Sequence, residues 1–297
     1  MAISLAMLSV TVLAGSLISW EATEYVKEGM RLAVGCVIPS AFPFMIISDL
    51  YLAYGKPENI RLLARLFSWL FGLPAEGLSA FVCGNVGGFP IGAKMCADAC
   101  LSGRLNRDDA ERLMPLSTNP SCAFVIGAVG IGAWSDVRIG FLLLISVFAS
   151  VVLCGILTRS KSTKSYITKD NIKQSYNFVD SVKHAGMSCI SIISFISLFS
   201  VLCGIIKKRV KNALLLYPIY AALEVTNAVN FAAISRDLPE GIRLAICAFS
   251  LGFGGFSIGM QSAAFASSAG IKMGRYYRIK LLEGVLAASI ASLIYLI

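Results

Sequence analysis

Gly84-Asn85-Val86-Gly87-Gly88-Phe89-Pro90-Ile91-Gly92-Ala93-Lys94 interrupts a hydrophobic run in the first half of this chain. A weaker copy, Gly254-Gly255-Phe256-Ser257-Ile258-Gly259-Met260-Gln261, interrupts another run in the second half. Gly and Pro favour helix breaks, and a bilayer tolerates the freed backbone groups only where they are buried in protein or face a water-filled cavity. Paired breaks in corresponding positions of two halves predict a transporter-like binding site between them.

The two breaks also align as a sequence repeat. An offset of 167 residues gives eight identities in 17 positions, starting at Gly87/Gly254 and ending at Gly103/Gly270. We therefore predict a first membrane repeat over residues 1–158, a basic linker over 159–183 and a second membrane repeat over 184–297. Whether the halves are parallel or inverted depends on the number of spans between them, which the sequence leaves open.

Composition places the chain in a membrane. Hydrophobic residues make up 57% and charged residues 14% of the 297, with a mean hydropathy of +0.75, values well outside the range of soluble domains. At about 20 apolar residues per span, the chain has room for roughly eight to ten helical elements, some of them not crossing fully. The prediction is an all-α polytopic, multi-pass protein of the cell membrane, with two repeats and broken or re-entrant helices around a central site.

The charged and sulfur-containing residues exclude several function classes. The net charge of +9 comes from Lys and Arg in short loops beside apolar runs, which indicates lipid head groups and not nucleic acid as the partner. The nine cysteines are scattered without a C-x-x-C, and His184 is the single histidine. We therefore expect no metal site, no cofactor and no catalytic residues, so the chain is not predicted to be an enzyme.

The first half contains three further hydrophobic segments of note. Met1–Ser19 is interpreted as a retained helix, since no Lys or Arg precedes Lys27, with a cleaved signal peptide as the alternative. Tyr25–Tyr54 is too long for one straight span and carries two prolines. Asn59–Phe71 is amphipathic and is expected to lie at the membrane surface.

Two basic segments conflict over topology. Arg159–Lys183 and Lys207-Lys208-Arg209-Val210-Lys211 fall on opposite sides of the bilayer if Ala185–Ile206 spans it. Either that segment is re-entrant, or one basic loop does not follow the positive-inside rule.

Candidate binding residues in the first half surround its break. Gly87, Gly88, Pro90 and Gly92 would supply backbone groups, while Lys94 would attract an anion at a half-helix N-terminus. The alternative for Lys94 is neutralisation by Asp98, four residues on. Further along, Asn119 and Ser121 precede a short apolar helix, either as an ordinary N-cap or as a polar lining of the cavity.

In the second half, a buried acid is the main candidate. Glu224, with Thr226 and Asn227, stands inside the apolar stretch Leu214–Ile234 and should face the bundle, holding a broken helix or a coupling proton or cation. The second break would add Gly254, Gly255, Ser257 and Gln261 to the site, and Gln261 corresponds to Lys94. Glu283 is expected to pair with Lys280 at the membrane edge, and Asp49 and Glu76 are expected to be interfacial.

These motifs carry a resemblance to a known family. Gly84–Gly103, Asp109–Leu113 and Thr118–Gly127, followed by Leu223–Asn227 and Gly254–Gln261, resemble in order the segments of the YlbJ-type sporulation integral membrane proteins, within the nucleoside-recognition or Gate domain superfamily. The resemblance implies a multi-pass membrane protein of a spore-forming bacterium, located in the cell membrane or in the membrane around the forespore. It also implies a part in moving dipicolinate, a small aromatic dicarboxylate, toward the spore.

The resulting hypothesis is a transporter or permease for a small anionic solute, with dipicolinate as the first candidate. A non-transporting scaffold for spore envelope assembly is one alternative, and a carrier of nucleoside-type solutes is another. The expected partners are the solute and the lipid bilayer, and self-association as a homo-oligomer stays open.

Overall fold

The computed structural model describes residues 20–54, 61–160, 177–210 and 212–296, and the regular secondary structure within these ranges is helical. The architecture is thus the predicted all-α one with broken helices. The predicted helix Met1–Ser19 and residues 161–176 of the predicted linker lie outside the described residues.

Short helices dominate the first half and longer ones the second. The helices of the first half are α1 (Trp20–Leu32), α2 (Ile38–Tyr54), α3 (Arg61–Phe71), α4 (Leu78–Gly87), α5 (Ile91–Leu101), α6 (Arg107–Ser117), α7 (the π-helical Phe124–Ala133) and α8 (Val137–Leu157). Those of the second half are α9 (Phe178–Arg209), α10 (Ala213–Leu223), α11 (Val225–Ile234), α12 (Glu240–Phe253), α13 (Gly255–Ser268) and α14 (Met273–Leu296). A π-helical turn, Ala33–Val37, joins α1 to α2, and a 3₁₀ turn, Ala75–Gly77, precedes α4.

The described residues contain four helical segments long and apolar enough to cross a membrane: α8, α9, α12 with α13, and α14. Two bent pairs raise the number to six if each counts as one span. The first pair is α1 and α2, whose axes differ by 56°, where the sequence predicted an interruption. The chain is therefore multi-pass.

The second bent pair contains the predicted surface helix. The axis of α3 lies at 101° to that of Ala75–Gly87, so α3 runs across the direction of its successor. Phe67 and Phe71 of α3 are buried, whereas Leu62 and Trp69 are 78% and 64% exposed. Exposed apolar side chains on a helix lying across the bundle fit the membrane interface.

Helix α9 decides between the two predicted topologies of its segment. It continues unbroken from Phe178 to Arg209, and Phe178–Lys183, which the sequence placed in the linker, form its first turns. The segment is not re-entrant. Its 32 residues extend about 48 Å, beyond a hydrocarbon core of about 30 Å, so basic residues are present at both ends.

The two helices that follow the glycine breaks lie side by side in the same direction. At their starts, a Cβ on Gly254 would lie 3.4 Å from Phe89 Cε1. At their ends, the Cys100 thiol lies 4.0 Å from the carbonyl oxygen of Ala269. The helices that the sequence match relates, α5 and α13, are therefore parallel neighbours, and both breaks lie at the same end of the pair.

Small residues allow the helices of both halves to approach closely. Between α12 and α14, a Cβ on Gly252 would lie 3.0 Å from the Cα of Gly284. Between α5 and the end of α6, a Cβ on Gly92 would lie 1.8 Å from the carbonyl oxygen of Ser117. Such contacts are the usual means of packing helices in membranes, where hydrophobic burial against lipid gives little driving force.

We expect Gly92→Ala to lower the free energy of unfolding by about 1–3 kcal/mol, because the added methyl group overpacks the contact between α5 and α6. The measurement is thermal or denaturant unfolding of the purified protein in detergent.

Gly186→Ala in α9 is the matched control, because a Cβ there meets nothing within 4 Å. It should leave stability unchanged or raise it by up to about 1 kcal/mol, since Ala favours helices over Gly. Equal stability of the two variants would contradict the close contact at Gly92.

Candidate functional site

The helix breaks meet at one small buried cavity. Its volume is about 30 Å³, room for about one or two water molecules. Six of the predicted site residues line it: Gly87, Gly88, Ser121, Glu224, Thr226 and Gln261. The other lining residues are Val37, Ala41, Phe89, Pro120, Phe124, Ile192, Ile196, Val225 and Ile258.

The first break brings backbone close to backbone. Helix α4 ends at Gly87, and Gly88 has a φ of 85°, in the left-handed region. A Cβ on Gly88 would lie 2.7 Å from the backbone nitrogen of Ser121, so only glycine permits this approach. Pro90 follows a cis peptide bond and stands just before α5. Pro90 and Gly92 are not cavity residues, and Gly92 serves helix packing.

Ser121 and Asn119 have different roles beside this break. The Ser121 hydroxyl accepts a hydrogen bond of 3.2 Å from the Phe124 N–H, as an N-cap does. Asn119 does not cap the helix. Its amide group donates to Asn85 Oδ1 and to the Leu116 carbonyl, both at 3.0 Å, and so joins α4 to the end of α6.

The oxygen of the Asn119 side chain accepts from a buried lysine. Lys280 Nζ lies 2.7 Å from Asn119 Oδ1, 3.0 Å from the Thr118 carbonyl oxygen and 2.8 Å from Glu283 Oε1. Lys280 and Glu283 are both 0% exposed. They form the predicted pair, but the pair lies in the protein interior and not at the surface. The polar network therefore connects α4, α6 and α14.

Glu224 separates α10 from α11. Its backbone is extended, and its carboxylate accepts hydrogen bonds from the N–H groups of Thr226 and Asn227, at 3.0 and 2.7 Å. The Asn227 side chain donates to the same carboxylate at 2.9 Å and to Ser200 of α9 at 3.0 Å. The side chain of Glu224 thus holds the broken helix, one of the roles predicted for it, and a negative charge stands at the N-terminus of α11.

The second glycine break packs against Glu224. Gly254 and Gly255 have φ values of 79° and 74°. A Cβ on Gly255 would lie 3.1 Å from the Glu224 nitrogen. Gln261 is 1% exposed and donates to Ser257 at 3.4 Å, and its Oε1 has no hydrogen-bond partner among the described residues. Gly254, Gly255 and Ser257 therefore shape this side of the site without lining the cavity.

The prediction that Lys94 belongs to this site is not supported by its position. Its ammonium forms an ion pair with Asp49 and lies 3.5 Å from Asp98 Oδ2. His184 Nδ1 lies 3.6 Å from Asp49 Oδ2. The expected pairing with Asp98 is present, but Asp49, which was expected at the interface, is 2% exposed and completes a separate cluster.

Four helix N-termini point at the cavity. Gly88 precedes α5, Ser121 precedes α7, Glu224 precedes α11, and Ile258 and Gln261 lie in the first turns of α13. Each terminus carries N–H groups that lack a partner within their own helix, and a partial positive charge. The resulting field favours a negative charge at this place, and the Glu224 carboxylate already supplies one.

Lys280 and Asn85 are the important residues that the sequence did not assign to the site. Helix α14 begins at Met273, so Lys280 and Glu283 lie on the same helix. The available signal was an acid, Glu283, three residues after a lysine at the start of an apolar run. Spacing along the sequence could not show that Thr118 and Asn119 lie next to Lys280 in the fold.

A larger recess lies on the outside of the bundle. It has a volume of about 1020 Å³ and is bordered by α10, α12, α13 and α14, with apolar side chains such as Ile242, Phe249 and Leu281. None of the predicted site residues borders it. Its composition fits lipid chains around membrane-spanning helices.

Comparison with known proteins adds one relative. Sporulation integral membrane protein YlbJ of Bacillus subtilis strain 168 is 25% identical over an alignment of 330 residues, which covers 97% of this chain and 80% of the relative. The chain is similar to this YlbJ-type protein over nearly its whole length. No family model and no solved structure matches it. That relative is an integral membrane protein by name, in agreement with the candidate membrane spans of this chain.

We expect Asn119→Ala to destabilise the protein by about 1–3 kcal/mol, because Asn85 and the Lys280 ammonium each lose a buried partner. Unfolding in detergent measures the change.

Asn230→Ala is the matched control, since Asn230 is half-buried in α11, away from the network. It should change stability by less than about 0.5 kcal/mol. A similar loss in both variants would show that the Asn119 network contributes nothing specific.

Proposed function

We propose that this protein works in the membrane of a sporulating cell as a transporter or permease for a small anionic solute. The relative is named as a sporulation integral membrane protein, which supports the link to sporulation and to the membrane. The observation that carries the transport proposal is the meeting of three helix breaks, at Gly88, Glu224 and Gly254, around one buried cavity. Irregular backbone inside a membrane domain is typical of solute sites in transporters.

The preference for an anion rests on the helix N-termini. Those of α5, α7, α11 and α13 lie around the cavity, while Lys94 and Lys280 have acidic partners of their own. Helix N-termini bind carboxylates and phosphates through backbone N–H groups. Dipicolinate, which the family resemblance implies, carries two carboxylates and is our first candidate.

The cavity is closed in the conformation described here. A volume of about 30 Å³ is far below the 300–1,000 Å³ or so of a typical small-molecule pocket. Transport therefore requires the half-helices to move apart, with the glycine pairs at Gly87-Gly88 and Gly254-Gly255 as the places where backbone torsions change at least cost.

The small volume of the cavity is also compatible with the alternative function, a scaffold that does not transport a solute. If the breaks serve packing alone, the cavity stays closed and Glu224 is a structural cap. The two functions differ in whether the purified protein moves a solute.

The test is uptake of labelled dipicolinate into liposomes that contain the purified protein. We expect uptake above protein-free liposomes. Glu224→Gln should lose about tenfold or more of it, because the variant weakens the charge-assisted hydrogen bonds that hold the break between α10 and α11, and such a bond contributes about 1.5–3 kcal/mol.

Lys94→Gln is the control, since Lys94 lies outside the cavity. It should keep uptake within about twofold of the wild type, provided that size-exclusion chromatography shows a folded protein. Absence of uptake by folded wild type, for dipicolinate, other small dicarboxylates and nucleosides alike, would favour the scaffold.

A further inference from the structure

Three oxygen atoms surround the ammonium group of Lys280. They are the Thr118 carbonyl oxygen at 3.0 Å, Asn119 Oδ1 at 2.7 Å and Glu283 Oε1 at 2.8 Å. An ammonium group has three N–H donors, so each donor has one acceptor. The lysine is 0% exposed, and its charge is therefore met by protein atoms alone.

The three oxygens come from the end of one helix, from the non-helical link that follows it and from a second helix. Thr118 is the residue at which the chain leaves α6, so its carbonyl belongs to a helix end. Asn119 lies in the non-helical link to α7, and Glu283 lies on α14. Carbonyl oxygens at an interrupted helix, an amide oxygen and a carboxylate are the ligands that hard cations take, and broken helices of transporters coordinate coupling cations in this way.

An ordinary ion pair would need only one of these contacts. Glu283 is three residues from Lys280 on the same helix and supplies one oxygen, while the other two come from the opposite segment. Apart from Glu283, the titratable group whose charge bears on Lys280 is Cys154 of α8, which is neutral as a thiol. The lysine thus joins α14 to the break after α6.

We propose that Thr118, Asn119 and Glu283 form a monovalent cation site that the chain fills with its own Lys280 ammonium. The fixed cation neutralises Glu283 and holds the link between α6 and α7, so the intact protein does not need a bound sodium ion there. Removal of the lysine side chain beyond Cβ leaves a site for a small cation. This inference does not depend on the transport proposal, since it holds equally for a scaffold.

The test uses full-length Lys280→Ala in detergent and n-propylammonium chloride as the probe, because that ion matches the side-chain atoms that are removed. We expect Lys280→Ala to unfold at a lower temperature than the wild type. Propylammonium should raise its midpoint with increasing concentration, as a ligand of the native state does, and sodium should do so more weakly. Neither should shift the wild type, in which the site is filled.

Two controls test whether recovery requires the positive charge of the probe and the carboxylate of Glu283. The uncharged 1-propanol should give no recovery, and the double variant Lys280→Ala/Glu283→Gln should not respond to propylammonium, because the carboxylate is gone. Equal recovery with 1-propanol, or recovery in the double variant, would overturn the cation site and leave a filled cavity as the explanation.

A second variant keeps the proposal testable if Lys280→Ala does not fold. Lys280→Met has a similar length and packs in the same space but donates no hydrogen bond, so it should unfold at a lower temperature than the wild type. A Lys280→Met protein as stable as the wild type would show that the three oxygens need no cation, and the proposal would fail.

Discussion

A carbonyl or N–H group freed where a helix breaks inside a membrane domain must find its partner within the protein, because hydrocarbon offers none. The structure meets this requirement differently at each break. At α11 the Glu224 carboxylate accepts from two backbone N–H groups. At α7 the Ser121 hydroxyl accepts one, and at the end of α6 the Lys280 ammonium donates to the freed Thr118 carbonyl. These side chains lie near one another because the helix breaks that they satisfy also lie near one another.

Glycine allows the backbone segments at the helix breaks to approach one another closely. At Gly88 and Gly255 both the positive φ and the closeness of a neighbouring backbone exclude a side chain. The same torsional freedom makes these positions the natural hinges of any opening motion. The helices α4, α5 and α6 pack so tightly around Gly92 that an added Cβ has no room there.

The position of a lysine along the sequence does not indicate which break it lies beside in the structure. Lys94, close to the first break in sequence, belongs to a separate cluster with Asp49 and Asp98. Lys280, distant in sequence, is next to the break after α6 and is neutralised by Glu283. Positive potential at the cavity therefore comes from helix dipoles more than from lysines, and the Glu224 carboxylate opposes it. An anion bound there would interact mainly with backbone N–H groups, as anions at helix N-termini commonly do.

The sequence by itself determined the membrane character, the helical class, the two glycine breaks and the presence of Glu224 in an apolar stretch. Each of these depends on composition or on a short local motif. Only the tertiary structure decided that α5 and α13 run parallel, that Lys94 leaves the site, and that Lys280 reaches Asn119. Those outcomes depend on contacts between residues far apart in sequence, such as Lys94 and Asp49, 45 positions apart, and Asn119 and Lys280, 161 positions apart. Hydrophobic periodicity shows that a helix has a buried face but does not specify which other helix covers it.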